Sequence, residues 1–147
     1  MKIQGRVTKD GEMLFPIFLS SESLKISNRL VVFELDTGAS LTVMSDSDAF
    51  ILELDYSVLP KIEPAYGIGG KCDVHVIEDA ILRFISFYGD WTIDKRMKLG
   101  VLNHKVDEIE DEDVRRAVLA CRSLVGRDIL GRNFTIIRQE NNVTINI

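Results

Sequence analysis

The residue best placed for chemistry is Asp36, in the run Phe33-Glu34-Leu35-Asp36-Thr37-Gly38-Ala39-Ser40. It follows the apolar stretch Leu30 to Phe33 and leads straight into a Thr-Gly-Ala-Ser turn. That order sets a carboxylate at a strand end, where Gly38 permits a sharp turn that draws neighbouring amides close. Apolar walls make such a charge costly unless something shares it, and acids in this setting serve chemistry more often than packing. The chain carries one copy of the arrangement. Asp128, in Gly126-Arg127-Asp128-Ile129-Leu130-Gly131, lacks a following Thr/Ser-Gly turn, so an ion-pair or turn role suits it better than that of an internal partner.

Other reactive residue types form weaker patterns. Gly67-Ile68-Gly69-Gly70 follows Pro64-Ala65-Tyr66 and precedes a strand-like run. A phosphate-binding glycine loop opens a helix instead, so these glycines read as a hairpin tip. Cys72 and His75 have the spacing of half a metal site, but His104 and Cys121 are scattered and add no second pair. No metal is expected, and Cys72 and His75 read as strand residues. Lys95, Arg96 and Lys98 alternate with Asp94 and Met97, the pattern of a solvated loop or edge strand.

The elements that must position Asp36 are mostly strands. Residues 2–8 and 13–20 read as a hairpin across Lys9-Asp10-Gly11-Glu12, because Asp-Gly tolerates positive φ. Ser20 to Asn28 reads as a polar connector, and residues 29–35 as a buried strand entering the Asp36 loop. Ser45 with Asp46 and Asp48 starts a short helix whose apolar face is Ala49, Phe50 and Leu52. Pro60 and Pro64 hold an extended arm that turns at Ile68-Gly69-Gly70, and strand character returns through Val74, Val76, Ile77 and Ala80 to Tyr88. The acidic run Asp107 to Asp113 precedes a helix with Val114, Ala117, Val118 and Cys121 at helical spacing. Acids there complement the helix dipole without any ligand. Thr135 to Arg138 and Val143 to Ile147 close the chain as strands, the last alternating as a half-buried interface strand would.

Bulk properties narrow the classes. At 147 residues the chain can bury a core in one domain, and 46% apolar with 28% charged residues is a globular balance. A net charge of −5 argues against nucleic acid, which needs a clustered positive footprint. No apolar stretch is long enough to cross a bilayer, so no membrane partner is expected. Met1 to Arg6 lacks the apolar core of a secretory signal, so a cytoplasmic location is expected, with two cysteines as free thiols.

Three blocks, in order, resemble one family. The Asp36 loop resembles the active-site loop of the retroviral-type (retropepsin-like) aspartic proteases, and Tyr66 to Gly70 looks like their glycine-rich flap tip. Leu124 to Asn133 looks like their closing apolar-apolar-Gly block, with Gly131-Arg132-Asn133 beginning a short C-terminal helix. Leu41-Thr42-Val43-Met44-Ser45 is closer to cellular members of the DNA-damage-inducible type than to viral ones. The blocks anchor residues 30–137, while Asp90 to Ser123 matches nothing specific and is longer than in compact viral members.

The resemblance implies a mainly β fold over 1–147: a closed barrel of the retropepsin-like acid-protease type, with two or three short helices and one catalytic loop per chain. It implies an aspartic endopeptidase, in which one carboxylate draws a proton from water while a protonated partner donates to the peptide carbonyl. With a single loop per chain, Asp36 would meet Asp36 of a second copy in a homodimer acting on a peptide or protein substrate, with no cofactor. Thr37 would bond across the dimer axis, or serve as an ordinary turn hydroxyl; Gly38 and Ala39 complete the loop. Gly67, Ile68, Gly69 and Gly70 would form the flap, or a plain hairpin turn. Ile129, Leu130 and Gly131 would pack behind the loop, Gly131 through close backbone contact, and Arg132 would supply a buried or interfacial guanidinium. Viral members set an Asp where this chain has Ser40, which leaves the partner of that arginine open. The alternative is an inactive dimerisation or peptide-binding module on the same fold.

Overall fold

The computed structural model describes residues 2–67, 70–86 and 92–147. Strands β1 (Lys2–Val7) and β2 (Met13–Ser21) form the expected hairpin. Gly11 takes φ +89° in its turn, and the Thr8 amide donates to the Glu12 carbonyl at 2.9 Å. Along β2, Phe15, Ile17 and Leu19 point inward at every second position, as strand periodicity requires. Strand β3 (Ile26–Leu35) pairs with β2 and buries Val31, Phe33 and Leu35. Its other face is open, with Leu30 and Val32 exposed, so it is not buried throughout as the apolar run suggested. The connector before it also shrinks to Glu22–Lys25, because Ser21 and Ser23 are held by a distant carboxylate, Asp79.

The barrel closes through β2, β3, β8 (Ser123–Val125), β4 (Val43–Met44), β7 (Thr92–Asn103) and β6 (Gly70–Ile85). Each of these six strands bonds to the next, and β6 pairs with β2 to complete the ring. The interior is filled by side chains such as Phe15, Phe33, Phe84, Met44, Leu82 and Leu99. Three short helices accompany it, so the fold class is that expected. Strand β5 (Lys61–Gly67) extends from β6, while β10 (Asn142–Asn146) and β9 (Thr135–Gln139) extend the sheet beyond β1.

Two expectations for the remaining strands change. The first part of the unmatched segment after Asp90 is barrel wall: β7 pairs with β6 along its length, and the part bearing Lys95, Arg96 and Lys98 has no strand on its other side among the described residues. The closing strand β10 lies between β1 and β9 and buries Val143, Thr144 and Ile145 in succession. It is therefore a covered strand, and the exposed edge is β9.

The helices follow their capping signals more closely than their apolar patterns. In α1 (Asp46–Ile51) Ser45 Oγ accepts from the Asp48 amide at 3.2 Å. Ala49 is buried and Leu52 partly so, but Phe50 is 84% exposed. Ala49 and Leu52 lie three residues apart on one face; Phe50, one step round from Ala49, turns away. In α2 (Glu112–Ala120) Asp111 caps the Asp113 and Val114 amides at 2.9 and 3.1 Å. Of its expected face only Val118 is buried.

One carboxylate locks the barrel seam. Asp79 sits at the register shift of β6 between Ile77 and Ala80 and accepts from Ser21 Oγ at 2.6 Å and from the Ser23 amide and hydroxyl at 2.8 Å each. The Ser21 hydroxyl, followed by the Ser23 donors, holds its pKa down at about 2. A depressed folded-state value means stability present above the unfolded value and lost as pH falls through the folded one. The stability advantage of the wild type over Asp79→Ala, from urea denaturation, is expected to be constant above about pH 5 and to shrink steadily toward pH 2. A pH-independent difference would show that Asp79 acts by shape alone.

Candidate active site

Asp36 stands at the mouth of the barrel where β3 ends, and its amide donates to the Val125 carbonyl of β8 at 3.1 Å. The chain then folds back over its own carboxylate. Asp36 Oδ1 accepts from the Gly38 and Ala39 amides at 2.8 and 3.2 Å. Oδ2 has no hydrogen bond among the described residues, and Asp36 is one of the residues that line the cleft. A Cβ at Gly38 would lie 3.1 Å from Asp36 Oδ1, so this glycine is needed for room beside the carboxylate. Thr37 is exposed in the single chain.

A clasp behind the loop fixes its position. Thr42 Oγ1 donates to Asp128 Oδ1 at 2.6 Å, and the Thr42 amide donates to Oδ2 at 3.0 Å. Thr42 Oγ1 also accepts from the Gly126 amide at 3.0 Å, and the Arg127 amide donates to the Ala39 carbonyl at 3.0 Å. Both carboxylate oxygens of Asp128 are thus spoken for, by hydrogen bonds from Thr42 and not by the ion pair or turn that was expected. Gly126 meets the loop so closely that a Cβ would lie 2.5 Å from the Leu41 backbone.

This corrects the assignment of the closing block. Helix α3 spans Arg127–Leu130 and is over before the Gly131-Arg132-Asn133 triplet. Gly131 caps its C-terminus at φ +72° with no atom within 4 Å of a would-be Cβ, and Arg132 is exposed. The close contact therefore belongs to Gly126, five residues earlier, and Gly126-Arg127-Asp128 is the triplet that opens the helix. Ile129 and Leu130 are buried in the core as expected. Arg132 makes no ion pair among the described residues.

A cleft of about 1300 Å³ opens over Asp36. One wall is β5, the arm expected to carry the flap; Gly67 pairs with Gly70, which takes φ +87°, while Ile68 and Gly69 lie outside the described residues. The opposite rim carries Ala117 and Ala120 of α2, then Cys121 and Arg122. The part of the unmatched segment that is not barrel strand therefore caps the cleft.

Deeper in, Asp46 accepts from His104 Nδ1 at 2.6 Å and from the His104 amide at 2.8 Å, with side chains 8% and 7% exposed. A carboxylate can only accept, so the proton sits on Nδ1. Sequence reasoning weighed His104 only as a metal ligand and missed this pair, since its partners are 58 residues apart. Cys72 and His75 both lie in β6, but an odd spacing sends them to opposite faces. Cys72 borders the cleft, whereas His75 bonds the Leu59 carbonyl at 3.2 Å. Burial, then the Asp46 charge, pushes the Cys72 and Cys121 thiols up, which makes both poor nucleophiles. The carboxylates of Glu12, Glu34, Asp36, Asp46 and Glu63 line this cleft beside them.

A retropepsin-like aspartic protease from Rickettsia conorii superposes with a TM-score of 0.55 at 18% identity, over 99% of this chain and 90% of that one. The fold is retropepsin-like. The EIAV protease, solved with an inhibitor, gives a TM-score of 0.49 at 14% identity over 84% of this chain and 88% of that one, and nothing is argued from it. No family model and no curated protein matches the sequence. At this identity the likeness concerns the retropepsin-like fold and leaves activity to be argued from the site.

The reassigned clasp makes unequal demands on two neighbouring positions. Asp128→Ala removes the acceptor for both Thr42 donors and is expected to lower the unfolding free energy by about 1–3 kcal/mol. Arg132→Ala, at an exposed position, is expected to stay within about 0.5 kcal/mol of the wild type. Urea denaturation of both variants checks the order, and a costlier loss at Arg132 would return the structural role to the later triplet.

Proposed function

We propose that the chain is one protomer of an aspartic endopeptidase, with Asp36 of two copies forming the catalytic pair across a two-fold axis. The observation that carries this reading is the state of Asp36: one oxygen is fixed by the Gly38 and Ala39 amides, the other has no hydrogen bond among the described residues, and the residue lines a large cleft. Asp128 is held by Thr42 and Asp46 by His104, so neither of these aspartates serves as an internal partner. A second copy supplies the missing carboxylate.

In the assembled pair, two adjacent carboxylates share one proton. The ionised Asp36 takes a proton from the water between them as the water oxygen attacks the peptide carbonyl. The protonated Asp36 gives its proton to the carbonyl oxygen, forming a neutral gem-diol. Collapse of the diol breaks the C–N bond: the protonated Asp36 gives its proton to the leaving nitrogen, the other Asp36 takes one from a diol hydroxyl, and the pair again holds a single proton. Thr37, exposed in one chain, meets its copy at the axis; Gly67 to Gly70 covers an extended peptide; Gly38 lets the substrate backbone approach. The cellular, DNA-damage-inducible-type branch is favoured by Leu41 to Ser45, a stretch in which Thr42 forms the clasp and Ser45 caps α1. The mechanism draws on neither metal nor organic cofactor.

Digestion of a mixed peptide library by the purified chain and by Asp36→Asn, read by mass spectrometry over a pH series, tests the reading. The wild type is expected to cut and to run as a dimer in sedimentation, with Asp36→Asn at least about a hundredfold slower. Equal cleavage by both would expose a contaminant. A stable dimer that does not cut would favour the peptide-binding module.

A further inference from the structure

We propose that Glu34 is a specificity-determining residue of the cleft, selecting substrates with a lysine or arginine side chain next to the scissile bond. This rests on the protease reading above. Glu34, on β3, precedes Asp36 by two residues, and Asp36 follows directly on the strand, so both project from the same face of the chain with Cα atoms about 7 Å apart. Both line the same cleft. The positions opposite Glu34 are Leu14 on β2 and Leu124 on β8, and Leu124 also lines the cleft. A carboxylate flanked by two leucines is an uneconomical choice for a strand, where an apolar or β-branched residue would sit without loss.

Among the described residues only Arg122 offsets it, and only in part. The Glu34 carboxylate has no hydrogen bond and no ion pair among the described residues. Arg122 bears on it, but that guanidinium lies 3.4 Å from Glu12 Oε2. Burial raises the pKa of Glu34, and the Glu12 and Asp36 charges raise it further against the opposing pull of Arg122. The cleft as a whole has the same sign: Glu12, Glu34, Asp36 and Glu63 face Arg122, while Asp46 is matched by His104. A wall that is apolar along its flank and anionic at one point fits a long side chain with an apolar stem and a cationic head. Lysine and arginine have that form, and arginine can engage both carboxylate oxygens at once.

Cleavage-site profiling of an unbiased peptide library with the wild type, Glu34→Gln and Glu34→Lys tests this. Lysine and arginine are expected to be enriched at one position beside the cut for the wild type. The ratio of kcat/KM for a lysine peptide to that for its norleucine counterpart is expected to fall roughly tenfold or more in Glu34→Gln. In Glu34→Lys the preference is expected to move to aspartate and glutamate. A wild-type profile with no basic preference, or one that Glu34→Gln leaves intact, overturns the proposal. So does loss of all cleavage by a folded Glu34→Gln, which would put Glu34 in the chemistry instead. If the wild type cuts nothing, the protease reading fails by itself. Fluorescence anisotropy then reads Glu34 directly, using the labelled lysine and norleucine peptides with Asp36→Asn and with Asp36→Asn/Glu34→Gln. Tighter binding of the lysine peptide that vanishes in the double variant supports the proposal, and equal binding of the two peptides overturns it.

Discussion

The clasp between Thr42 and Asp128 is the interaction on which the site depends. It ties the loop that carries Asp36 to a helix 86 residues later in the chain, through two donors on one residue and two acceptor oxygens on the other. Bonds to a charged acceptor are worth more than most neutral pairs. Neither element is stable alone: the loop has no regular structure, and α3 is barely one turn. Each gives the other its position, and Gly126 permits the approach because any side chain there would strike Leu41. Asp36 is thus held from behind by the clasp and from within by its own turn, which frees its second oxygen for the cleft.

The barrel explains why the loop is presented at a mouth and not in the interior. Strands β3 and β8 run parallel, so both deliver their C-terminal ends to one rim, β3 leading into Asp36 and β8 into Gly126. Parallel neighbours joined by a long crossover bring distant segments together there, as functional loops on α/β sheets are brought together. The same crossover carries α2, whose Ala117 and Ala120 sit over the cleft while only Val118 reaches the core. Small residues on that face leave the cleft open where larger ones would fill it.

Local signals were legible in the sequence; contacts at long range were not. The Asp-Gly turn, the Ser45 and Asp111 caps and the Asp36 loop all follow from residues within four positions of one another. Phe50 is exposed because a six-residue helix presents one narrow stripe, which Ala49 and Leu52 already occupy. Gly126 and Gly131 head nearly identical Gly-Arg triplets, and only the packing of Leu41 against the first separates them. The Ser20-to-Asn28 connector looked polar and loose because its serines were counted without Asp79, and β10 looked half-buried because its neighbours β1 and β9 cannot be read from its own alternation.

The residues that break local rules lie round the same cleft. His104 and Asp46 form a buried pair that a hydrophobic pair of similar volume would replace with little loss of stability. Glu34 stands between leucines with no counter-ion bonded to it. A core selected for stability alone would hold neither, and elsewhere no buried polar side-chain atom lacks a partner among the described residues. The thiols that share this environment respond to it by holding their protons, since desolvation and a neighbouring carboxylate both act against a thiolate. Under the proposed reading, a cleft that disfavours thiolates and gathers carboxylates suits water activation by acids, and the charge that makes it costly to fold is the charge a cationic substrate would neutralise.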